Sequence, residues 1–134
     1  MRDAYSNTAA RVALAAGPRS ASANGTSVDR AGGGALYQDA LILVHAGTIT
    51  DGTHTIDVQE SDNDSTWTPV AVSQLQGSKP ALVAADSGKV RAVGYRGTKR
   101  FLRVSVSVNG ATTGGTYGVL VLLGSPRTAG AVQS

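Results

Sequence analysis

The sequence predicts an all-β protein, an antiparallel β-sandwich or jelly roll with an extended N-terminal arm. Residues 101–108 alternate strictly, with leucine or valine at every even position and arginine or serine at 103, 105 and 107. This is the period of a strand with one buried face. Similar short runs are separated by turn signals such as Asp62–Asp64 and Asn109–Gly110, and no helical period lies between them. These observations favour a sandwich or jelly roll over an α/β fold.

Seven short strands follow from this reading of the chain. We predict them near Leu36–His45, His54–Ser61, Trp67–Ser73, Ala81–Ala84, Val90–Tyr95, Phe101–Val108 and Thr116–Leu123. The turn signals between them are Asp51–Gly52, Asp62–Asp64, Gly77–Ser78, Ser87–Gly88, Arg96–Gly97, Asn109–Gly110 and Gly114–Gly115. No internal repeat is visible, so we expect one domain built from these strands.

The chain divides into an arm, a body and a tail. Residues 1–34 lack sustained alternation: Ala9–Ala16 favours a helical turn or two, and Ser20–Gly34 is small, polar and glycine-rich. Such a segment buries too little apolar surface to order by itself. We therefore predict a flexible N-terminal arm over 1–34, a β-sandwich domain over 35–124 and a short C-terminal tail over 125–134.

Composition excludes several classes of protein. The chain has 134 residues and no cysteine, which removes disulfide frameworks, thiolate zinc sites and cysteine nucleophiles. Its net charge of +3 is too small for a dedicated nucleic-acid binder, so nucleic acid is an unlikely partner. The apolar runs are far shorter than the roughly 20 residues of a membrane-spanning helix. No signal peptide is predicted, and we expect a soluble protein made in the cytoplasm.

Two predicted strands are apolar on both faces, which sets the candidate interface. Leu41–Val44 and Val119–Leu123 contain no polar residue, so a two-layer sandwich would leave one face of each uncovered. Loops of the same subunit could shield both strands, or the arm or another subunit could cover them. The candidate interface residues on these strands are Leu41, Leu43, Val119, Val121 and Leu123.

Charge is separated along the chain. One window is acidic and holds Asp51, Asp57, Glu60, Asp62 and Asp64; the other is basic and holds Lys89, Arg91, Arg96, Lys99, Arg100 and Arg103. The two windows could meet across a subunit boundary and set its register, or pair within one subunit as exposed ion pairs. We add Arg96, Lys99 and Arg100 to the candidate interface, because their turn could grip an acidic side chain or a phosphate.

The chemical motifs are weak, so we predict no enzyme, no catalytic residue, no cofactor and no metal site. Asp62–Asp64 resembles a calcium loop, but Trp67 and Ser73 stand where its Gly and Glu should be, which favours a hairpin turn. His45 and His54 lack a third ligand or a nucleophile and are expected to be packed or solvated. Asp57 and Glu60 fall on opposite faces of one strand. Gly32–Gly34 does not open a helix and is interpreted as a linker.

Two resemblances follow from these residues. The segments His54–Ala71 (HTIDVQESDNDSTWTPVA) and Lys99–Val106 (KRFLRVSV) resemble the strand, turn, Trp strand and Arg-flanked strand of discoidin-like and carbohydrate-binding jelly rolls. That resemblance implies that Trp67 packs behind the turn and that a glycan could be gripped at one rim by aromatic rings, histidines and arginines.

The second resemblance covers most of the chain. A small, cysteine-free, Gly/Ala/Thr/Val-rich β domain behind an N-terminal arm resembles the small head proteins of tailed bacteriophages, in particular capsid decoration or cement proteins. This resemblance implies a virion structural protein that staples major capsid subunits, forms a homo-oligomer with a trimer favoured, and has no catalytic residue. The alternative is a carbohydrate-binding module of a phage tail or adsorption apparatus.

Overall fold

The computed structural model describes residues 7–31 and 37–126, which form two antiparallel β-sheets packed face to face. The strands are β1 (Thr8–Arg19), β2 (Ala23–Asn24), β3 (Val28–Asp29), β4 (Tyr37–Ile49), β5 (Thr53–Ser61), β6 (Thr68–Pro69), β7 (Leu75–Gln76), β8 (Ala81–Leu82), β9 (Val90–Tyr95), β10 (Phe101–Asn109) and β11 (Gly115–Pro126). Two 3₁₀ turns cover Val72–Gln74 and Ala84–Asp86. The predicted all-β sandwich is confirmed.

The first sheet has five strands in the order β1-β11-β4-β9-β7. The second sheet is built on the pair β5 and β10, with β2 and β3 beside β10 and with β6 and β8 beside β5. Every pairing is antiparallel, and β1 pairs with β11 along most of its length. Within the described ranges, no helix is long and apolar enough to span a membrane.

The core lies between the two sheets and follows the period of two. In β10, Leu102, Val104 and Val106 point inward and are almost fully buried, as the alternation predicts. The largest side chains that are fully buried in the core are Tyr117, Ile42, Ile56, Leu82, Leu102, Leu123, His54, Val44, Val58, Val70, Val93 and Val104. Aliphatic and β-branched residues dominate this set, as expected for a pleated sheet packed on one face.

The N-terminal segment differs from the prediction. Thr8–Arg19 is an edge strand of the first sheet, and β2 and β3 extend the second sheet, so residues 8–29 belong to the sandwich and are not a flexible arm. Ala9, Ala13, Leu14 and Val28 are buried in the core. The register of β1 shifts between Val12 and Leu14 and again before Gly17, and these bulges hide its alternation in the sequence.

Other strand bounds differ less. The predicted strand Trp67–Ser73 is reduced to Thr68–Pro69. The Val70 N–H still donates to the Val58 carbonyl oxygen, and the chain then turns at Val72–Gln74. At the other end, β11 continues to Pro126, so the first two residues of the predicted tail are part of a strand. The rest of the predicted tail, 127–134, lies outside the described residues, as do 1–6 and 32–36.

Candidate interaction surface

The outer face of the five-stranded sheet is apolar across four strands. We call it the outer apolar face; its members are Ala10, Val12, Leu41, Leu43, Val90, Ala92, Leu120 and Leu122. Seven of them have a chain neighbour buried in the core, and Val90 shares the parity of Ala92, so all eight point away from the second sheet. Val12, Val90 and Leu120 are 56%, 58% and 42% exposed. A contiguous surface of this kind is characteristic of protein contact sites.

The register between the paired strands places four of these residues in one row. Val12 lies opposite Leu120, Leu120 lies opposite Leu43, and Leu43 lies opposite Ala92. The four side chains therefore form one row that crosses β1, β11, β4 and β9 at right angles to the strands. We call this row the ridge.

Three of the five predicted interface residues on these strands face the other way. Val119, Val121 and Leu123 are at most 1% exposed, because β11 turns its odd positions into the core. Their side chains point into the core, which differs from the prediction that they face a partner; Val119 only lines the floor of the apolar groove beside the ridge. Leu41 and Leu43 do lie on the outer face, where Leu120 and Leu122 take the place of the three β11 residues. When both the odd and the even positions of a strand are apolar, the sequence does not indicate which set of side chains faces the core.

An apolar groove lies directly beside the ridge. Its cavity is about 330 Å³ and is lined by Val12, Leu14, Ala16, His45, Gly47, Thr116, Tyr117, Gly118, Val119 and Leu120. Gly118 is on the outer face next to the ridge, and a Cβ there would lie 3.1 Å from the Cα of Ala16. The missing side chain thus lets the bulged part of β1 approach β11 and leaves room above the sheet.

Arg19 fixes the bulge that borders this groove. Its guanidinium donates to the carbonyl oxygens of Gly17 at 3.0 Å and Tyr117 at 2.8 Å, and also to that of Ala15. It lies 5.4 Å from the centre of the Tyr117 ring, within the range of a cation–π contact. The planar fork of an arginine suits several carbonyls at once, so Arg19 holds the irregular end of β1 against β11.

The outer face of the second sheet is polar. The residues between its buried positions include Thr55, Asp57, Gln59, Arg103, Ser105 and Ser107. Several of them bond to one another or to the neighbouring strand: Arg103 Nε donates to Gln59 at 2.6 Å, and Ser105 donates to Asn24 at 2.9 Å. The two outer faces of the sandwich therefore differ in chemistry. In the described residues the apolar outer face belongs to the first sheet, and Val72 and Val83 are exposed singly in the connections between strands.

The basic turn after β9 is largely paired within the subunit. Lys99 Nζ lies 2.6 Å from Asp62, and Arg100 donates two bonds of 2.8 Å to the carboxylate of Asp29. The Asp62 and Asp29 carboxylates raise the pKa of Lys99 and of Arg100, and the Arg100 hydrogen bond lowers the pKa of Asp29. Arg96 lies exposed in the same turn. The sequence allows the acidic and basic windows to meet either across a subunit boundary or within one subunit. Lys99 and Asp62, one from each window, form an ion pair within one subunit.

The titratable groups that could have suggested catalysis have structural partners. His54 is fully buried, and its ring nitrogens lie 2.9 Å from the Tyr117 hydroxyl and 3.0 Å from the Asp51 carbonyl oxygen. Asp51 accepts backbone N–H bonds from Thr112, Thr113 and Gly114, which lower its pKa. Asp57 lies on the outer face of β5 beside Lys79, whereas Glu60 accepts from the Tyr95 hydroxyl at 2.7 Å. The two carboxylates are thus on opposite faces, as predicted.

The Asp62–Asp64 segment is a turn, as predicted. The side-chain oxygen of Asn63 accepts from the backbone N–H groups of Ser65 and Thr66 and from the Ser61 hydroxyl. Asp64 has a positive φ of 60°, a conformation that aspartate tolerates in tight turns. Within residues 7–31 and 37–126, no group of three or more metal-binding side chains comes together.

The aromatic rings in the described ranges are engaged in packing. Tyr37, Tyr95 and Tyr117 are buried, and the Arg103 guanidinium lies 4.5 Å from the centre of the half-buried Trp67 ring. Trp67 and Arg103 belong to the two segments, His54–Ala71 and Lys99–Val106, that resemble the jelly rolls, and the structure places these two residues in contact. Glycan-binding surfaces stack sugars on open aromatic faces, and the aromatic residues that the structure describes form no such platform.

Comparison with known proteins shows a likeness in fold. No protein-family model matches the chain. No curated protein matches it either. Among solved structures, the chain resembles the crystal structure of PBSX exported protein XepA, with a TM-score of 0.61 and 20% sequence identity over 93% of this chain. The match covers 40% of XepA, so the chain spans about two fifths of that protein's length. At this identity, the likeness establishes a shared sandwich fold.

Proposed function

We propose that this chain is a non-enzymatic structural protein of a phage particle, and specifically a capsid decoration protein that holds neighbouring major capsid subunits together. The outer apolar face carries the proposal. The sandwich already has a complete core between its two sheets, yet it leaves an uncharged apolar surface across four strands. A surface that folding does not bury is best explained by burial against protein during assembly.

Two likenesses support the phage assignment. The fold is shared with PBSX exported protein XepA, a phage-derived protein. The sequence resembles the small head proteins of tailed bacteriophages in size, composition and lack of cysteine. On this proposal the chain is made in the host cytoplasm and becomes part of the virion.

The use of the titratable residues supports a structural role over an enzymatic one. His54 and Asp51 join β5, β11 and the loop before Gly115 through hydrogen bonds. Asp86 accepts from the backbone N–H of Val83 and pairs with Arg91. A catalytic acid or base would need to reach a substrate, whereas these groups fix strands and turns.

The proposal is tested with capsids that lack this chain. Purified protein is incubated with them, and binding is measured by co-sedimentation and capsid rupture by heating. Saturable binding and a higher rupture temperature are expected. Leu120→Glu should reduce both, whereas the matched control Ser107→Glu, on the polar outer face of the second sheet, should not.

Two results would contradict the proposal. One is the absence of saturable capsid binding by the folded wild-type protein. The other is selective binding on a glycan array, which would instead support the carbohydrate-binding module of a tail. We expect no glycan to be bound selectively, because the described aromatic rings are packed against protein groups.

A further inference from the structure

We infer that the partner of the outer apolar face is a second copy of this chain, packed face to face about a two-fold axis, with the ridge of each copy in the groove of the other. The inference deepens the proposed function and rests on its assignment of this face as a protein contact surface. The two copies bury this face against each other, and the dimer holds capsid subunits through the surfaces that stay exposed. On this arrangement Leu120→Glu weakens capsid binding because it separates the two copies. It replaces the trimer implied by family resemblance with an arrangement that follows from the shape of the surface.

The shape of the face is complementary to itself. In the ridge, the side chains of Val12 and Leu120 are largely exposed, and the same two residues border the groove of about 330 Å³. Leu120 belongs to the ridge, and Gly118, two residues earlier on the same strand, lines the groove. On β11, the exposed side chain of Leu120 therefore lies next to Gly118, which has no side chain.

A two-fold axis brings these two features together twice. If the axis lies in the plane of the contact, parallel to the ridge and midway between ridge and groove, rotation places each ridge over the groove of the other copy. Leu120 of one copy then lies over Gly118 and Thr116 of the second copy, and the reverse contact forms at the same time. Two-fold contacts of this reciprocal kind are the commonest in soluble oligomers.

Charge favours identical copies meeting at this face. The chain has a net charge of +3, so two copies repel each other on average. The eight residues of the outer apolar face carry no charge, whereas the outer face of the second sheet holds Asp57 and Arg103. Asp39 is exposed on the same side of β4, beyond Leu41 and away from the groove. The two-fold contact keeps the two copies of Asp39 at opposite ends of the interface, so no like charges lie opposite one another.

The area sets the strength of the contact. Four strands spaced about 4.8 Å apart cover roughly 400 Å² per copy when the ridge, the row of Leu122 and the groove row of Gly118 are counted as three rows about 6.8 Å apart. A standard stable interface buries about 800 Å² per partner. The contact is therefore about half the standard size, and we expect a dimer that dissociates on dilution and is reinforced where many copies bind one lattice.

Sedimentation velocity on the purified full chain, over a range of concentrations, tests the inference. A reversible monomer–dimer equilibrium is expected for the wild-type protein. Leu120→Glu and Thr116→Lys should each raise the dissociation constant about tenfold or more, since each places a charge in an apolar contact. Ser107→Glu should leave it unchanged, and circular dichroism should report the same folded spectrum for all three variants.

Mixing Leu120→Glu with Thr116→Lys tests the register. The carboxylate introduced on the ridge of one chain would lie in the groove that holds the ammonium introduced on the other, so the two charges would attract. Equal amounts should therefore form a one-to-one heterodimer more tightly than either variant self-associates. A mixture that stays monomeric would overturn the ridge-in-groove arrangement. A wild-type protein that is monomeric throughout, or trimeric, would overturn the two-fold contact.

The same samples separate this inference from the proposed function. Capsid binding by a wild-type chain that never dimerises would leave the decoration role standing and remove the second copy as the partner. A wild-type dimer that binds no capsid would leave the two-fold contact standing and contradict decoration.

Discussion

The hydroxyl of Tyr117 lies 2.9 Å from Nδ1 of His54, and both rings are buried between the two sheets. The rings meet edge to face, with centroids 5.1 Å apart. Because Nε2 of His54 faces the Asp51 carbonyl oxygen, which only accepts, the partners assign the proton to Nε2 and make Nδ1 the acceptor for the Tyr117 hydroxyl. Burial raises the pKa of Tyr117, which keeps the hydroxyl as the donor.

Tyr117→Phe should therefore lower the free energy of unfolding by about 1–3 kcal/mol, the usual cost of leaving a buried acceptor without its donor. Urea denaturation followed by circular dichroism measures this change. Ser107→Ala, on the exposed outer face of β10, is the control and should change it by less than about 0.5 kcal/mol. An unchanged urea midpoint in Tyr117→Phe would mean that His54 gains nothing from this bond.

Acid should destabilise the fold in part through Asp51. The backbone N–H of Gly114, at 2.6 Å, and those of Thr113 and Thr112 favour the charged carboxylate and lower its pKa from 3.8. A carboxyl whose pKa is lower in the folded state stabilises the fold fully above about pH 4, and this contribution is lost as the pH falls through the folded pKa.

We expect the urea midpoint of the wild-type protein to fall between about pH 5 and pH 2.5 by more than that of Asp51→Asn, because asparagine does not titrate. Equal falls in the two proteins would show that the Asp51 carboxylate does not carry this part of the acid sensitivity. Asp29 and Asp86 also have lowered pKa values and should produce the remaining acid sensitivity in both.

Adjacent residues on β11 should respond in opposite ways to a charge. Val121 is fully buried, so Val121→Asp should cost several kcal/mol and unfold the sandwich at ambient temperature. Leu120, its neighbour on the outer apolar face, should accept aspartate with the fold intact. Thermal denaturation compares the two variants. Similar melting temperatures would contradict the orientation of β11.

Arg19 should control the stability of the bulged edge strand. Arg19→Ala removes three donors from the carbonyl oxygens of Ala15, Gly17 and Tyr117. Faster amide hydrogen exchange is expected in the second half of β1 and in the part of β11 that faces it, since these are the pairings that the guanidinium holds. Arg19→Lys should restore the protection only in part, because an ammonium lacks the planar fork. Uniform exchange changes across the whole sandwich would contradict a local clamp.

The sequence predicts best the strands whose local pattern also determines their structure. Val90–Tyr95 has the predicted bounds, and Phe101–Asn109 differs by one residue, because their alternation and turn signals are local. Thr8–Arg19 could not be found in this way. Its buried positions Ala9 and Ala13 have the residue type that most favours helix, and its bulges break the period of two.

The presence of the candidate surface could be predicted from the sequence, but the residues that form it could not. The runs Leu41–Val44 and Val119–Leu123 correctly indicated that an apolar face is left over after the core is filled. Which parity of each run faces outward depends on the register between distant strands, and a slip of one residue exchanges the two faces. The groove depends on Gly118 beside the bulge of β1, a contact that no spacing along the chain reveals.

The pairing of β1 with β11 has a consequence for synthesis. Thr8 lies opposite Gly124, so the first described strand finds its hydrogen-bond partner only after almost all the others have been translated. At about 5–20 residues per second, a nascent chain carries β1 unpaired for on the order of ten seconds. Its exposed edge is open to aggregation during that interval, and contacts of such long sequence separation also slow folding. Ribosome-bound chains that end before β11 should therefore remain sensitive to protease in β1, and protection should appear only when the final strand has left the exit tunnel.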